Sequence, residues 1–148
     1  ISVTDLKRDH ALFSLSTPTY DNRWDYKPNT WHSICTTWDS VTGLVQIWFD
    51  GKPSIRKFVH SGAITQTVIV LLGQDQDSHG GRFDINQSFV GMITDVHMWY
   101  YTLSPCEIQN YMDKGSFTPG NVLNWKALDF QIIGNVLIEN QTDYVYCI

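Results

Sequence analysis

The densest group of oxygen-bearing side chains in the sequence lies between residues 73 and 87. Asp75, Asp77 and Asp84 occur there among several Gln and Asn side chains. Carboxylate, amide and backbone carbonyl oxygens are the ligands of Ca²⁺, which takes roughly six to eight of them. In an extended chain Asp75 and Asp77 project to the same side, and a following double glycine lets the chain turn back. The segment therefore predicts a calcium site, in which the cation offsets the repulsion among the carboxylates.

The same segment also fits a plainer interpretation, a solvated acidic loop. Its spacing differs from that of an EF-hand, which has another ligand order and a glycine at its sixth position. The pattern alone therefore leaves both interpretations open. None of the five histidines is spaced from another as metal ligands usually are, and imidazole is a poor calcium ligand.

The elements that must position this segment are short strands. We predict strands over residues 11–15, 33–38, 44–49, 54–59, 68–72, 89–99, 122–125, 130–133 and 136–138. The continuous apolar run 68–72 predicts a central strand that is buried on both faces. Asp50-Gly51-Lys52-Pro53 predicts a turn, with a proline that ends the ladder. Short strands separated by turn residues are typical of an all-β sandwich.

One helix is predicted. Ser104, Pro105 and Glu107 form a capping-box sequence with proline at the first helical position. Apolar side chains then recur on one face, and Gly115 provides the stop. A single short helix on a sandwich is thus expected.

The length, composition and net charge of the chain indicate which class of protein it is. Its 148 residues suit one domain, and 14% aromatic against 17% charged residues favour a packed core. The net charge of -5 argues against nucleic acid as the main partner, because phosphate backbones require a basic surface. No apolar run approaches the roughly 20 residues of a membrane span. Two glycosylation sequons, at Asn86 and Asn140, indicate secretion.

Several motifs, in this order along the chain, resemble those of the short pentraxin family. They are ICTTWDS at 34–40, WFDGKP at 48–53, LGQDQDS at 72–78, GGRFD at 80–84 and NVLNWKAL at 121–128. The likeness runs from about Trp31 to Ile138, with further similarity around Leu12 to Asn22. It implies a two-sheet antiparallel jelly-roll sandwich with one short helix. It also implies that residues 1–148 are a single pentraxin-type domain.

The resemblance implies two adjacent calcium ions. One would be bound by Asp21, Asn22, Asp75, the backbone carbonyl of Gln76, and Asp77; the second would share Asp75 and Asp77 and add Asp84 and Gln87. Asp75 and Asp84 stand where mammalian members usually carry glutamate. Because aspartate is one methylene shorter, the second ion is expected to be held less tightly or with an additional water.

The resemblance further implies a secreted, calcium-dependent pattern-recognition protein of the acute-phase type, without enzymatic activity. Its ligands would be phosphocholine or other phosphorylated and anionic groups, such as anionic polysaccharides on microbes or damaged cells. It would form a cyclic homo-oligomer, five-fold by family default, although a smaller ring such as a trimer is compatible with the altered chain. Asp50 and Lys52 stand where the family's complement-binding face carries charges.

The sequence departs from the family pattern in two places. The chain is shorter than expected after Asn22, near residues 23–24, either through a true deletion or because the sequence joins pieces around a further segment. That part would hold the pocket for choline methyl groups. The N-terminus is also short, and the family partner of Cys35 would precede Ile1. Cys106 and Cys147 then either form a disulfide or remain unpaired or intermolecular.

Two other functions remain as alternatives. The first is a laminin-G-like adhesion module that needs no metal. The second is a jelly-roll glycosidase that uses Asp75 and Asp77 as its carboxylate pair. A general acid needs a pocket that raises its pKa. A loop rich in Gln, Ser and Gly is not expected to form such a pocket.

Overall fold

The computed structural model describes residues 1–3, 27–113 and 115–139. In chain order the elements are β1 (Ser2–Val3), β2 (Ile34–Trp38), β3 (Leu44–Phe49), β4 (Lys52–Pro53), β5 (Lys57–Phe58), β6 (Gly91–Met92), β7 (His97–Met98), α1 (Pro105–Met112) and β8 (Leu123–Asn124). Single 3₁₀ turns span Ile85–Gln87 and Trp125–Ala127. The predicted strand 11–15 lies outside the described residues.

The longest strand pair is the antiparallel hairpin of β2 and β3. Its register runs from Ile34 opposite Phe49 to Trp38 opposite Val45, and β4 and β5 both pair with β3. Aromatic and β-branched side chains dominate both strands, as the pleated surface of a sheet favours. In the part of the chain that the structure describes, β3 is therefore the centre of the largest sheet, and it contributes three of the five buried hydrophobic side chains, Val45, Trp48 and Phe49.

The turn after β3 is a two-residue loop. Asp50 and Gly51 have φ angles of 46° and 77°, and Phe49 pairs with Lys52 across them. Positive φ at both central positions is the type I′ turn that Asp-Gly favours, because its twist matches that of the flanking strands. The predicted turn is confirmed, but it ends earlier than expected. Pro53 is the last residue of β4, as predicted, and it lies on an edge strand where its missing N–H is tolerated.

The return strand predicted over 54–59 is wrong in its extent. It is split into β4 and β5 by residues 54–56. The Ser54 hydroxyl accepts a hydrogen bond from the Ile47 amide at 3.1 Å, while the Ser54 amide donates to the Ile47 carbonyl at 2.7 Å. A side-chain oxygen thus replaces a backbone carbonyl in the ladder, and the regular pairing is interrupted there.

Helix α1 forms as the capping box predicts. The Glu107 amide donates to the Ser104 hydroxyl at 3.3 Å, and the Ser104 amide donates to the Glu107 carboxylate at 2.8 Å. The helix ends at Met112, and the Gly115 amide then donates to the Asn110 carbonyl at 2.8 Å. Its inner face places Ile108, 1% exposed, against Trp48 and Leu103 to form the core cluster.

Three predicted strands are not formed. Residues 68–72 have no ladder partner among the described residues, and Val68 and Leu72 are 56% and 45% exposed. The segments 130–133 and 136–138 are likewise exposed, and they pair regularly with no other segment that the structure describes. An apolar run becomes a central strand only where neighbours supply hydrogen bonds on both edges and side chains on both faces. The described part of the chain does not supply these neighbours.

The long strand predicted over 89–99 is also wrong in its extent. Only β6 and β7 form, and they pair with different partners, β1 and β8 respectively. Asp95 lies between them with a φ of 54°, a left-handed conformation that ends extended structure. No helix in the described segments has the length and apolar character of a membrane-spanning helix.

Candidate metal centre

The predicted metal-binding segment is a loop that is closed at its base. The Phe89 amide donates to the Gly73 carbonyl at 2.8 Å, which brings the two ends of the loop together. Gly73 has a φ of 79°, a conformation that glycine adopts without steric cost. We call residues 73–89 the acidic loop.

The middle of the acidic loop is a tight turn. Ser78 and Gly81 exchange backbone hydrogen bonds of 3.3 and 3.0 Å, and Gly80 between them has a φ of 72°. A positive φ at the third position is the type II arrangement, which favours glycine there. The turn leaves the exposed side chain of His79 at its tip.

The far side of the acidic loop is organised by Asp84. Its carboxylate accepts from the Asn86 amide at 2.8 Å and so caps the 3₁₀ turn. Its backbone carbonyl accepts from the Gln74 side chain at 2.9 Å. This last bond joins the first and second halves of the loop, so Asp84 is held by residues from both halves.

The near side is held by Gln76. Its side-chain amide donates to the Ile69 carbonyl at 3.1 Å, and its side-chain oxygen accepts from the Gly80 amide at 2.9 Å. The Gln76 amide also donates to the Asp75 carboxylate at 2.9 Å. The side chain of Gln76 thus fastens the loop to the preceding segment and leaves its backbone carbonyl available for the predicted role.

Gln87 carries an unsatisfied oxygen. Its side-chain carbonyl oxygen is buried and accepts no hydrogen bond from any residue that the structure describes. Buried polar atoms are nearly always partnered, and an exception calls for a ligand, an ion or a water. An amide oxygen is a good calcium donor, and this one belongs to the predicted ligand set. The donor types of the loop therefore fit a calcium ion.

The predicted ligands are nevertheless not gathered into a finished site. Within residues 1–3, 27–113 and 115–139, no three Asp, Glu, His or Cys side chains lie close enough together to hold a metal ion. Asp21 and Asn22, two of the seven predicted ligands, lie outside these ranges. Carboxylates repel one another unless a cation lies between them, so Asp75, Asp77 and Asp84 have no electrostatic reason to converge by themselves.

The predicted effector residues differ in their surroundings. The carboxylate of Asp50 lies 2.7 Å from the Nδ1 atom of His32 and accepts from the Ser33 amide at 2.8 Å. Partial burial raises the pKa of Asp50, but the hydrogen bonds from His32 and Ser33 outweigh it and bring this pKa below its ordinary value. Lys52 is exposed. Asp50 thus links the hairpin turn to the segment before β2, while Lys52 faces solvent.

Sequence reasoning did not identify His32 as the partner of Asp50. Its side chain is only 4% exposed and stacks on Phe49 with ring centroids 4.9 Å apart. Its Nε2 atom lies 3.0 Å from the carbonyl oxygen of Lys27. His32 lies before a strand and 18 residues from Asp50, so the sequence shows that the two residues are partners only once the hairpin register is known.

The described cysteines have unequal environments. Cys35 on β2 packs beside the core cluster, and burial raises its pKa to about 11. Cys106 is exposed in the first turn of α1. Neither cysteine forms a disulfide with another described residue, and Cys147 lies outside the described residues. The disulfide between Cys106 and Cys147 therefore stays a prediction.

The chain is similar to known proteins over most of its length. It matches the pentaxin family over residues 23–140. It is 50% identical to C-reactive protein of Cavia porcellus over 109 residues, which are 73% of this chain and 48% of that protein. It is 37% identical to C-reactive protein of Sus scrofa over 161 aligned residues, 93% of this chain and 72% of that protein. Serum amyloid P-component of Cavia porcellus is 36% identical over 160 aligned residues, 92% of this chain and 71% of that protein.

A solved structure agrees with these matches. The native heptameric SAP-like pentraxin from Limulus polyphemus aligns with a TM-score of 0.63 and 27% identity, over 68% of this chain and 48% of that one. The predicted all-β antiparallel fold with one short helix is thereby confirmed. The chain spans about half the length of C-reactive protein of Cavia porcellus and of the horseshoe-crab protein. It belongs to the pentaxin family, whose members are also called pentraxins.

Proposed function

We propose that this chain is a calcium-dependent recognition domain that binds phosphorylated or anionic ligands outside the cell. The unpartnered side-chain oxygen of Gln87, in a loop closed between Gly73 and Phe89, is the observation that carries the proposal. A buried amide oxygen without a hydrogen bond is costly unless another ligand compensates it, and a hard cation does so. The family assignment and the oxygen-only donor set point in the same direction.

The proposed ligands are those of the acidic loop together with two residues before it. They are Asp21, Asn22, Asp75, the backbone carbonyl of Gln76, Asp77, Asp84 and Gln87. Bound calcium would supply exposed positive charge to which phosphate or carboxylate groups attach. The chain itself positions Asp84 through its capping bond and Gln76 through its bond to Ile69.

We further propose that the domain acts in a secreted cyclic homo-oligomer. The pentraxin from Limulus polyphemus is heptameric, and a ring presents many weak sites to one surface. The size of the ring, five-fold or smaller, and the binding of complement are proposals separate from the formation of a ring. Because Asp50 is bonded to His32 and Ser33, we assign complement contact on this face to the exposed Lys52 first.

The single-domain organisation and the shortened region near residues 23–24 remain part of this proposal. The alignment with C-reactive protein of Sus scrofa extends over 161 positions, more than the 148 residues of this chain. That protein therefore has residues without a counterpart here. A lost choline pocket would shift the ligand preference from phosphocholine toward other anionic groups.

The alternatives have less support. A glycosidic general acid requires a desolvated carboxyl group, whereas Asp77 is exposed. We therefore propose binding without catalysis. The laminin-G-like alternative has less support because the chain belongs to the pentraxin family. Its metal independence is tested by chelation.

The first test is a calcium titration by calorimetry with the wild type, Asp77→Asn and Asp129→Asn. Asp129 is also exposed but lies far along the chain from the acidic loop, so this control makes the same change of charge elsewhere. We expect saturable binding in the wild type and the control, and at least tenfold weaker binding in Asp77→Asn. Equal binding in all three would remove Asp77 from the site, and no binding in the wild type would refute the calcium proposal.

The second test measures ligand binding with and without EDTA. Phosphocholine and a sulfated polysaccharide are immobilised, and the protein is passed over each surface. We expect retention in calcium and release by EDTA. Retention that EDTA does not affect would favour a metal-independent adhesion module.

A further inference from the structure

The side chain of His97, on β7, lies among three aromatic rings. Its ring centroid is 5.8 Å from that of Trp99, 6.0 Å from that of Tyr111 and 5.2 Å from that of Phe117. Tyr111 belongs to α1, and Phe117 lies between α1 and β8. The imidazole of His97 therefore contacts both the helix and the segment that follows it.

The hydrogen bonding of His97 defines its protonation state at neutral pH. Its Nδ1 atom accepts a hydrogen bond from the Gly120 amide at 3.3 Å, so Nδ1 carries a lone pair and the ring proton is on Nε2. A protonated imidazole has an N–H group at both nitrogens and accepts no hydrogen bond. Uptake of one proton would therefore convert the acceptor of the Gly120 amide into a second donor.

Gly120 is packed too closely to tolerate this change in place. It is buried, and a Cβ atom there would lie 2.1 Å from the Leu123 carbonyl oxygen and 2.6 Å from the Met98 carbonyl oxygen. The backbone of Gly120 thus packs directly against β7 and β8. A buried amide that loses its acceptor costs free energy unless it reaches water. Protonation of His97 therefore favours movement of Gly120 away from β7.

Two neighbouring hydrogen bonds join the same segment to β7 and to the residue after it. The Trp99 indole donates to the Thr118 carbonyl at 3.0 Å, and the Val122 amide donates to the Met98 carbonyl at 3.0 Å. Backbone carbonyl groups do not take up protons near neutral pH, whereas imidazole does. Of these three bonds, acid therefore breaks only the one to His97.

The charged groups around His97 do not offset its burial. Burial lowers the pKa of His97; Asp95, exposed before β7, raises it, and Lys126, in the 3₁₀ turn after β8, lowers it. The result is a pKa below the ordinary histidine value. Tyr111 stays neutral, because burial raises its pKa to about 12. The stabilisation by His97 is thus complete above the ordinary histidine pKa and is lost as pH falls through the lower folded value.

We propose that His97 is an acid-sensitive switch, which holds residues 117–120 against β7 at neutral pH and releases them in acid. The released segment includes Phe117, which also packs on Tyr111 with ring centroids 5.0 Å apart, so α1 loses part of its support. The domain would then present α1 and residues 117–120 differently in neutral and in acidic surroundings. The inference does not depend on the calcium proposal, because none of these residues belongs to the acidic loop.

The test is hydrogen exchange, followed by NMR in EDTA, of the wild type, His97→Gln and His60→Gln. Glutamine at position 97 can still accept a hydrogen bond but does not titrate, and His60 is an exposed histidine that serves as the matched control. Between about pH 7.5 and about pH 5, the protection factor of the Gly120 amide should fall about fivefold in the wild type and the control, through loss of one hydrogen bond. In His97→Gln it should not change.

A second measurement uses the wild type alone, so it is informative even if His97→Gln does not fold. Nitrogen chemical shifts of the His97 ring should show an unprotonated Nδ1 atom at neutral pH. The pH midpoint of the ring titration should equal the midpoint at which Gly120 loses protection. Both should lie below the midpoint of histidine in an unstructured peptide, because burial disfavours the charged ring.

A proton on the Nδ1 atom of His97 at neutral pH would overturn the switch. An equal loss of Gly120 protection in His97→Gln would do the same, since the loss would then have another cause. A loss of the same size along β2 and β3 would show general destabilisation and also refute a local release. The calcium titration is a separate result: its failure leaves the switch in place, and failure of the switch leaves the calcium proposal in place.

Discussion

The hairpin and the helix, residues 34–58 and 104–112, differ sharply from the acidic loop and the segment before it, residues 64–89. Among the described residues, the first region contains four of the five buried hydrophobic side chains, and the fifth, Leu103, immediately precedes the helix. From residue 51 to residue 90 no residue is buried as a whole. The first region combines local pairing and a helix cap with the packing of Ile108 against Trp48. The second region depends on neighbours and ligands that local sequence does not provide.

The two regions also use different hydrogen bonds. β2 and β3 are joined by backbone bonds of a regular ladder. The acidic loop has only isolated backbone bonds at its base and turns, and it also relies on side chains that bond to the backbone, such as Gln74 to Asp84 and Gln76 to Ile69. Backbone ladders form with almost any side chain, whereas these loop contacts require particular residues. Substitutions in the two regions should therefore have different consequences.

The largest effect is expected from Ile108→Ala. This side chain is 1% exposed in the core cluster, and its truncation leaves a cavity that should lower the free energy of unfolding by about 2–5 kcal/mol. Ile85→Ala in the acidic loop is the matched control, because that side chain is 78% exposed; its effect should stay within about 0.5 kcal/mol. Urea unfolding measures both. Equal losses would mean that the loop is packed as tightly as the core.

Calcium should reduce the difference in local stability between the two regions. At about 100 times its dissociation constant, an ion that binds only the folded chain raises the free energy of unfolding by about 2.7 kcal/mol. Hydrogen exchange should slow within residues 73–89 when calcium is added, while β2 and β3 gain only the global increase. Slower exchange throughout, without an additional gain in the loop, would place the ion elsewhere.

Asp50→Asn should weaken the connection between the hairpin turn and the chain before β2. Loss of the charge-assisted bonds to His32 and Ser33 should cost about 1 kcal/mol at neutral pH, a modest value because the Asp50 side chain is 42% exposed. The folded-state pKa of Asp50 is lowered, so this contribution is present above the ordinary carboxyl pKa and is lost as pH falls through the folded value.

The check on Asp50 is chemical denaturation across acidic and neutral pH. The difference between wild type and Asp50→Asn should narrow on acidification, because a protonated carboxyl group resembles the amide. Asp129→Asn, an exposed change of the same kind, should show no such trend. A difference that grows toward acid would contradict the assigned direction of the pKa shift.

An effect comparable to that of Asp50→Asn is expected at the helix cap. Ser104→Ala removes one half of the capping box and should destabilise the chain by about 1 kcal/mol, whereas Ser61→Ala, at an exposed loop position, should be neutral. The backbone and hydroxyl hydrogen bonds of Ser104 lower the pKa of Glu107. Helix stability should therefore decline as pH falls through this lowered value, and Glu107→Gln should remove that decline. Thermal unfolding followed by circular dichroism gives both results.

The elements that the sequence predicted correctly are those built from neighbouring residues. The strands 33–38 and 44–49 match β2 and β3 to within one residue, the Asp50-Gly51 turn is type I′, and α1 begins at its capping box. Alternation, turn residues and caps act over a few positions, so they can be read directly from the sequence. The residue pattern of the acidic loop indicated three of the seven proposed calcium ligands, the pentraxin resemblance implied the full set, and all seven stay predictions.

The sequence by itself determined the hairpin, the helix and the pentraxin family, because each depends on short motifs and their order. Only the tertiary structure decided that most of the apolar run 68–72 is exposed and that His32 partners Asp50. These features join residues distant in sequence or depend on which surfaces are covered. An apolar run has the same composition whether other strands cover it or solvent reaches it. Its hydrogen-bond partners belong to other segments, so its own sequence does not decide whether it forms a strand.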